Sequence, residues 1–335
     1  MDSEKFSVAD VDCNPRAGPA CGRTEERTSA AADSARHEIV AGLTTPQAFV
    51  SSQYFYDARG SRLFEMITVL PEYYLTRTER TIFAEHALEI SAAVGTGVTL
   101  IDLGAGNCGK ARNLFRSVKP TQYVAIDIST DFLRHALNHL QMAYPEIEML
   151  AVGANVYPAP DLPNGVRRQR RLFFYPGSSI GNFTPGEARL FLTGIREQCG
   201  EDGGLLIGVD LVKSEAILIP AYDDVSGVTA AFNVNLLQHL NRIIGSNFSA
   251  RDWQHRAFFN AALARIEMHL EARRLVRVAW PGGGRQFAGG ESIHTENSYK
   301  YALHDFENML MQAGFKQTRV WTDEKQWFAV CHATV

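Results

Sequence analysis

The stretch 98–110, VTLIDLGAGNCGK, limits the folds open to this chain more than any other segment. An aliphatic run (Val98, Leu100, Ile101) reaches Asp102 and gives way to Gly104, Gly106 and Gly109, after which Lys110, Ala111, Arg112, Leu114 and Phe115 are compatible with a helix. That order predicts a buried strand, a tight turn and a helix start. Glycines in such a turn let the backbone approach a ligand closely, and the unpaired N–H groups of the helix N-terminus face whatever binds.

The spacing also fits G-x-G-x-x-G, so the loop alone does not choose between NAD and other adenosine-bearing cofactors. Two neighbours sharpen it. Asp102 lies two residues before the first glycine, an arrangement typical of S-adenosylmethionine (SAM) loops, in which an acidic group attracts a cationic cofactor. A second apolar run, Tyr123-Val124-Ala125-Ile126, ends at Asp127, well placed to accept hydrogen bonds from a ribose diol. The plainer alternative is a glycine turn of any doubly wound domain, with Asp127 as a helix cap.

With 335 residues, 45% of them hydrophobic, the chain can bury one large core or two modest ones. A net charge of −4 gives no electrostatic reason to expect nucleic acid or an anionic membrane as a partner. No run long and apolar enough to span a bilayer is present, and the N-terminus is acidic where a signal peptide would be basic, so a cytoplasmic protein is expected. The five cysteines are scattered, which favours reduced thiols, with Cys108 a small apolar turn residue rather than a reactive one. His255, His269 and His294 show no metal-ligand spacing and are expected to be packing or surface residues, with no metal.

Residues 1–37 are polar, without apolar periodicity, and are expected to form a disordered leader. The segment that follows is crowded with Tyr54, Phe55, Tyr56, Phe64, Tyr73 and Tyr74, which serve either a pocket wall or a satellite core. A helix over 76–94 then leads into strict alternation: strand 98–103, helix 108–117, strand 122–128, helix 130–142, strand 147–152 and strand 170–175. Thr184-Pro185-Gly186-Glu187 carries a capping-box signature for a helix to about 200, followed by strand 205–209 ending at Asp210. Such alternation predicts a parallel sheet with ligands outside the carboxyl ends of its strands. After Lys213 the rhythm breaks. Residues 214–265 read as mostly helical, with Ser249 as a cap, and 266–299 as strands joined by the turn Pro281-Gly282-Gly283-Gly284. A helix over 300–314 and strands near 316–321 and 327–333 complete the sheet, as SAM-dependent methyltransferase sheets usually finish. The expectation is an α/β, Rossmann-like methyltransferase sheet (77–213 plus 300–335) under a substrate-binding lobe made from 38–76 plus 214–299.

Six separated segments carry a more specific pattern: YFYDARGSRLFEMIT with LPEYYLTRTE (54–79), DLGAGNCGKAR, FFYPGSSIGNF (173–183), AYDDVSGVTAAFNVNLL (221–237), RIEMHL (265–270) and ESIHTENSYKY (291–301). Together, over residues 40–335, they resemble the histidine-specific N-alpha-methyltransferases of ergothioneine biosynthesis. The resemblance implies transfer of three methyl groups from SAM to the alpha-amino nitrogen of L-histidine, giving hercynine and S-adenosyl-L-homocysteine, by a monomer. It implies that Asn182 and Tyr222 grip the substrate carboxylate, that Glu296 and Ser298 hydrogen-bond the imidazole, and that Tyr73 lies close to the same ring. Tyr56, the one residue given a catalytic role, would stand near the amine and the incoming methyl group, with Gly177 and Thr229 also near the amine. Phe64 and Met268 would line the cavity, although Met268 on its own reads equally as core.

For SAM the matching positions are Gly104, Lys110 and Asp127, with Lys110 open to a second reading as a solvated first-turn lysine. Where the family usually has an aspartate and an aromatic residue against the adenine, this chain has Asn155 and Val156, from which weaker SAM binding is expected. Three rivals remain: a same-fold methyltransferase for another amino acid such as a tryptophan derivative, a NAD-dependent dehydrogenase, and a non-catalytic SAM-binding protein.

Overall fold

The structure, a computed structural model, describes residues 33–335. Most of the expected leader therefore lies outside the described residues. Its last part does not behave as a leader: 33–37 already belong to helix α1 (33–44), whose Ile39 and Leu43 are buried. Burial of Ile39 and Leu43, four residues apart on one face, anchors the helix to the fold.

Seven strands form the central sheet: β1 (Thr99–Leu103), β2 (Gln122–Asp127), β3 (Glu148–Gly153), β4 (Arg171–Tyr175), β5 (Gly204–Asp210), and the C-terminal β11 (Gln317–Thr322) and β12 (Phe328–Thr334), in the order β11-β12-β5-β4-β1-β2-β3. The first five pair in parallel, and β12 and β11 add antiparallel at one edge. Alternate strand residues feed two apolar layers: Leu100, Tyr123, Phe174 and Leu206 on one face, and Ile101, Val124, Phe173 and Leu205 on the other. Both faces are covered, as parallel sheets require. Because β1 is followed by β2 on one side and neighbours β4 on the other, the strand order reverses beside β1, and a crevice opens at its carboxyl end.

The helices follow the sequence reading with local breaks. The helix expected over 76–94 is two, α3 (Tyr74–Glu85) and α4 (Ala87–Val94), separated at His86. Likewise 108–117 divides into α5 (Gly109–Arg112) and α6 (Phe115–Val118). Then come α7 (Thr130–Ala143), α8 (Pro185–Gln198), which carries the full capping box, and near the C-terminus α11 (Leu303–Gln312).

Between β5 and α11 lies a separate antiparallel sheet, β10-β7-β6, formed by β6 (Trp253–Asn260), β7 (Arg265–Ala272) and β10 (Ser292–Tyr299), with a hairpin of β8 (Val276–Trp280) and β9 (Gly283–Phe287) beside it. Residues 253–260 were expected in a helical region and are a strand; full pairing with β7, from Trp253↔Ala272 to Asn260↔Arg265, overrides their local preference. Ser249 makes no side-chain cap there. The short α9 (Glu215–Leu218) and the long α10 (Val228–Ile244) are the helical part of the insertion. Asp57 ties α10 to α2 (Ala58–Ile67): it caps α2 by accepting the Gly60 N–H at 2.7 Å and also accepts from Asn235 at 2.8 Å and from Arg242.

Candidate active site

A cavity of about 1260 Å³ opens at the carboxyl end of β1 and runs beneath the aromatic N-terminal segment. Its floor is the glycine loop. Gly104 (φ +70°) and Gly106 (φ +50°) adopt left-handed backbone, and an added Cβ would meet nothing within 4 Å at Gly106 and only Val156 Cγ2, at 4.0 Å, at Gly104. The loop backbone is thus open to close approach by a ligand. Asp127 Oδ2 accepts the Gly106 N–H at 3.0 Å and its Oδ1 accepts the Ser129 N–H at 2.9 Å. It braces the loop and the residue that precedes α7, and it still lines the cavity. Asp102 lines it too, buried beneath the loop, where burial pushes its carboxyl up to about 7 against the Tyr123 hydroxyl donating at 2.7 Å.

Lys110 is not a freely solvated lysine. Its Nζ donates to Glu79 Oε2 at 2.6 Å, and Glu79 Oε1 accepts the Gly177 N–H at 2.6 Å, so a buried glutamate on α3 joins the loops after β1 and β4. Gly208 on β5 makes the room: a Cβ there would sit 2.3 Å from Glu79 Oε1. Sequence reasoning missed Glu79, because nothing local marks a helical glutamate as buried. Asn155 and Val156 both line the cavity, with the Asn155 amide donating to Gln53 at 2.7 Å and its carbonyl accepting the Tyr157 N–H at 3.3 Å.

Tyr56, Phe64, Tyr73, Gly177 and Asn182 line the same cavity. The crowded aromatics divide between the two expected roles: Tyr56, Phe64 and Tyr73 form wall, whereas Phe55 and Tyr74 are buried core. The wall is continuous, with Tyr56 edge-on to Phe64 at 5.7 Å, Phe64 to Tyr73 at 6.3 Å and Tyr73 to Tyr222 at 6.3 Å, and Phe232 of α10 behind Tyr56 at 5.9 Å. Burial, then the charge of Glu296, holds the Tyr56 phenol well above its ordinary value, so it is a hydrogen-bonding group and not a phenolate base.

Tyr222, Thr229, Met268, Glu296 and Ser298, also expected in the site, are not among the residues that line this cavity, although the Tyr222 ring packs on Tyr73. Met268 and Glu296 are direct cross-strand partners of β7 and β10, and Met268 is buried in the core. The Thr229 N–H donates to Asp224 Oδ1 at 2.7 Å in the first turn of α10. Tyr222 Oη and Ser298 Oγ are 2.7 Å apart, and Lys300 Nζ donates to both, at 2.8 and 2.7 Å, while pairing with Asp210 Oδ2 at 2.8 Å. Asp210, at the end of β5, also accepts from the Tyr74 hydroxyl and from Lys213. Neither Lys300 nor Asp210 was singled out from sequence. Glu296 is different in kind: among the described residues its carboxylate has no hydrogen-bond or ion-pair partner, and burial pushes it up to about 7 against the pull of Lys300. Glu296 is only part-buried, so this carboxylate stays open to a donor from a ligand.

The three histidines are each hydrogen-bonded to neighbouring groups. His255 Nε2 lies 2.8 Å from the Tyr222 carbonyl and holds that turn in place. His269 and His294 come together with Glu267, their rings stacked in parallel, 4.7 Å apart at 8°, with one ligand atom from each of the three residues within 4.8 Å of the others, a grouping the sequence spacing did not show.

Comparison with known proteins agrees with this geometry. Residues 35–335 match the family described as histidine-specific methyltransferase, SAM-dependent. The chain is 39% identical over 299 residues to the histidine N-alpha-methyltransferase of Mycolicibacterium smegmatis, covering 88% of this chain and 92% of that one. It is 38% identical to the protein of the same name from Mycobacterium tuberculosis, covering 86% and 91%. Ergothioneine biosynthesis protein 1 of Neurospora crassa is 30% identical, covering 80% of this chain but 31% of its own length. The glycine loop at the switch point, the antiparallel C-terminal edge of the sheet and a match over nearly the whole described chain lead to one conclusion: this protein belongs to the SAM-dependent, histidine-specific methyltransferase family.

Proposed function

We propose that the protein methylates the alpha-amino nitrogen of L-histidine three times, giving hercynine, the first step of ergothioneine biosynthesis. The observation that carries this reading is Glu296, a carboxylate with no partner among the described residues, beside the Tyr222–Ser298 pair. An imidazole N–H completes it, whereas an apolar side chain leaves it unpaired, a penalty that discriminates strongly between substrates. The names of the mycobacterial and fungal relatives support the same substrate and pathway.

The residues present fit SAM. Gly104 and Gly106 leave the backbone open, Asp102 and Asp127 bring negative charge to the cavity, and Lys110, Asn155 and Val156 line it. Bound there, SAM supplies a methyl group on a sulfonium centre. The protein's own work is to orient the acceptor. Asn182 and Tyr222 offer N–H and O–H donors to the carboxylate, Glu296 and Ser298 take the ring, and Gly177 and Thr229 lie on the amine side. Tyr56 orients the nitrogen as a neutral phenol, and the amine proton leaves to water. As methyl groups accumulate the amine becomes a fixed cation, which the faces of Tyr56, Phe64 and Tyr73 stabilise. In this reading 38–76 plus 214–299 form the substrate lobe over a SAM-binding body of 77–213 plus 300–335, and the enzyme is a cytoplasmic monomer.

Mass spectrometry of a reaction with SAM and a panel of the standard amino acids tests the proposal. Stepwise mono-, di- and trimethylation of histidine alone is expected. Methylation of a different amino acid, or SAM binding with no mass gain on histidine, overturns it.

A further inference from the structure

Lys300 was not among the residues expected to act, yet it is buried where the two halves of the substrate site meet. Its ammonium group has three protons and three acceptors: Tyr222 Oη at 2.8 Å, Ser298 Oγ at 2.7 Å and Asp210 Oδ2 at 2.8 Å. Each hydroxyl carries one proton and two lone pairs, and Lys300 occupies one lone pair on each. The Tyr222–Ser298 bond, 2.7 Å long, consumes one further proton and one further lone pair. What remains is one O–H on one of the two oxygens and one lone pair on the other.

We infer that Lys300 is a positioning residue that couples the two ends of the substrate: a carboxylate on Tyr222 takes the one free O–H, leaving Ser298 able only to accept, so the ring is held as an imidazolium donating one N–H to Glu296 and the other to Ser298. The inference rests on the histidine reading above. The groups that face this arrangement are consistent with a cation there. Glu296 and Asp210 are carboxylates, Lys213 and Tyr74 are engaged by Asp210, the Tyr56, Tyr73 and Tyr222 phenols feel the charge of Glu296, and the His294 ring lies 3.0 Å from the Glu296 backbone carbonyl. Lys300 contacts Ser298 as well as Tyr222, and Asp210 is the counter-charge to its ammonium group.

The test is calorimetric titration of the complex with S-adenosylhomocysteine by the trimethylated betaine of histidine, whose amine cannot titrate. At about pH 8.5, where a free imidazole is neutral, comparison of buffers with different ionisation enthalpies is expected to show uptake of about one proton per betaine bound. In Lys300→Met the affinity is expected to fall by more than about tenfold and the uptake to less than about half. Wild-type binding without proton uptake overturns the inference, as does an unchanged affinity and uptake in the variant. Lys300→Gln is the second variant, keeping a donor without the charge. Loss of S-adenosylhomocysteine binding in both variants assigns the lysine to fold stability and also overturns the inference. A wild-type protein that binds S-adenosylhomocysteine but not the betaine instead sinks the histidine reading.

Discussion

At the scale of single residues, Glu296 sets substrate affinity and protein stability against each other. Its carboxyl has a folded-state value of about 7 against 4.5 for an ordinary glutamate. A raised value means that its contribution to stability is full below about pH 4.5 and is lost as pH rises through about 7. Glu296→Gln is therefore expected to match wild type near pH 4.5 and to exceed it at pH 8, by on the order of 2 kcal/mol, in urea unfolding of the ligand-free protein. Equal stability at both pH values contradicts the burial argument. Glu296→Ala should weaken histidine binding by about two orders of magnitude or more while leaving SAM affinity nearly intact, because only the imidazole loses its partner; calorimetry with each ligand reads both. The position of Glu296 was legible through the motif around it, but its lack of a partner was not. That property depends on β7, on the aromatic segment and on Lys300 all leaving the carboxylate alone. Conversely, Lys300 ends the same motif and drew no attention, since its partners Tyr222 and Asp210 are 78 and 90 residues away in the chain.

Elements were legible where the signal is local. Thr184, Pro185 and Glu187 announced α8, and the box is complete: the Thr184 hydroxyl oxygen accepts the Glu187 N–H at 3.3 Å, and Glu187 Oε2 accepts the Thr184 N–H at 2.8 Å. Thr184→Ala is expected to cost about 1 kcal/mol in denaturant unfolding. Strand β6 was not legible, since its register is set by β7 and not by its own alternation. Glu79 is the same lesson on a helix. Nothing local singles it out, and it is the strut between Lys110 and Gly177. Glu79→Ala leaves the Gly177 N–H without its acceptor and Lys110 without its charge partner. A loss of roughly 1–3 kcal/mol is expected, together with weaker S-adenosylhomocysteine binding, because both loops bound the cavity. Unchanged cofactor affinity in that variant would show that the loops hold their shape without the strut.

For the molecule as a whole, the alternation of strand and helix gave the sheet, and its interruption after Lys213 gave an insertion, but the meeting of the two at Asp210 could not be read from either. Buried titratable groups across the fold also oppose one another. Glu296 and Asp102 are both raised to about 7, so each makes the free protein less stable as pH climbs from about 4.5 to 7. His255, His269, His294 and His332 are all held down from 6.5 by burial, the last two to about 4, so each makes it more stable as pH rises towards 6.5. With four histidines against two carboxylates, the net stability of the ligand-free protein should rise towards about pH 6.5 and decline between there and about 7. A ligand cation in the cavity alters one member of this set. The sulfonium of SAM favours ionised Asp102, whereas S-adenosylhomocysteine carries no such charge. By linkage, the thermal stabilisation given by SAM should grow between pH 5.5 and 8 relative to that given by S-adenosylhomocysteine at equal saturation. Asp102→Asn should remove that growth, because an amide has no proton to lose. Parallel pH profiles for the two ligands in wild type would show that the charge beneath the glycine loop is spent on Tyr123 and the fold, and does nothing to select the methyl donor over its product.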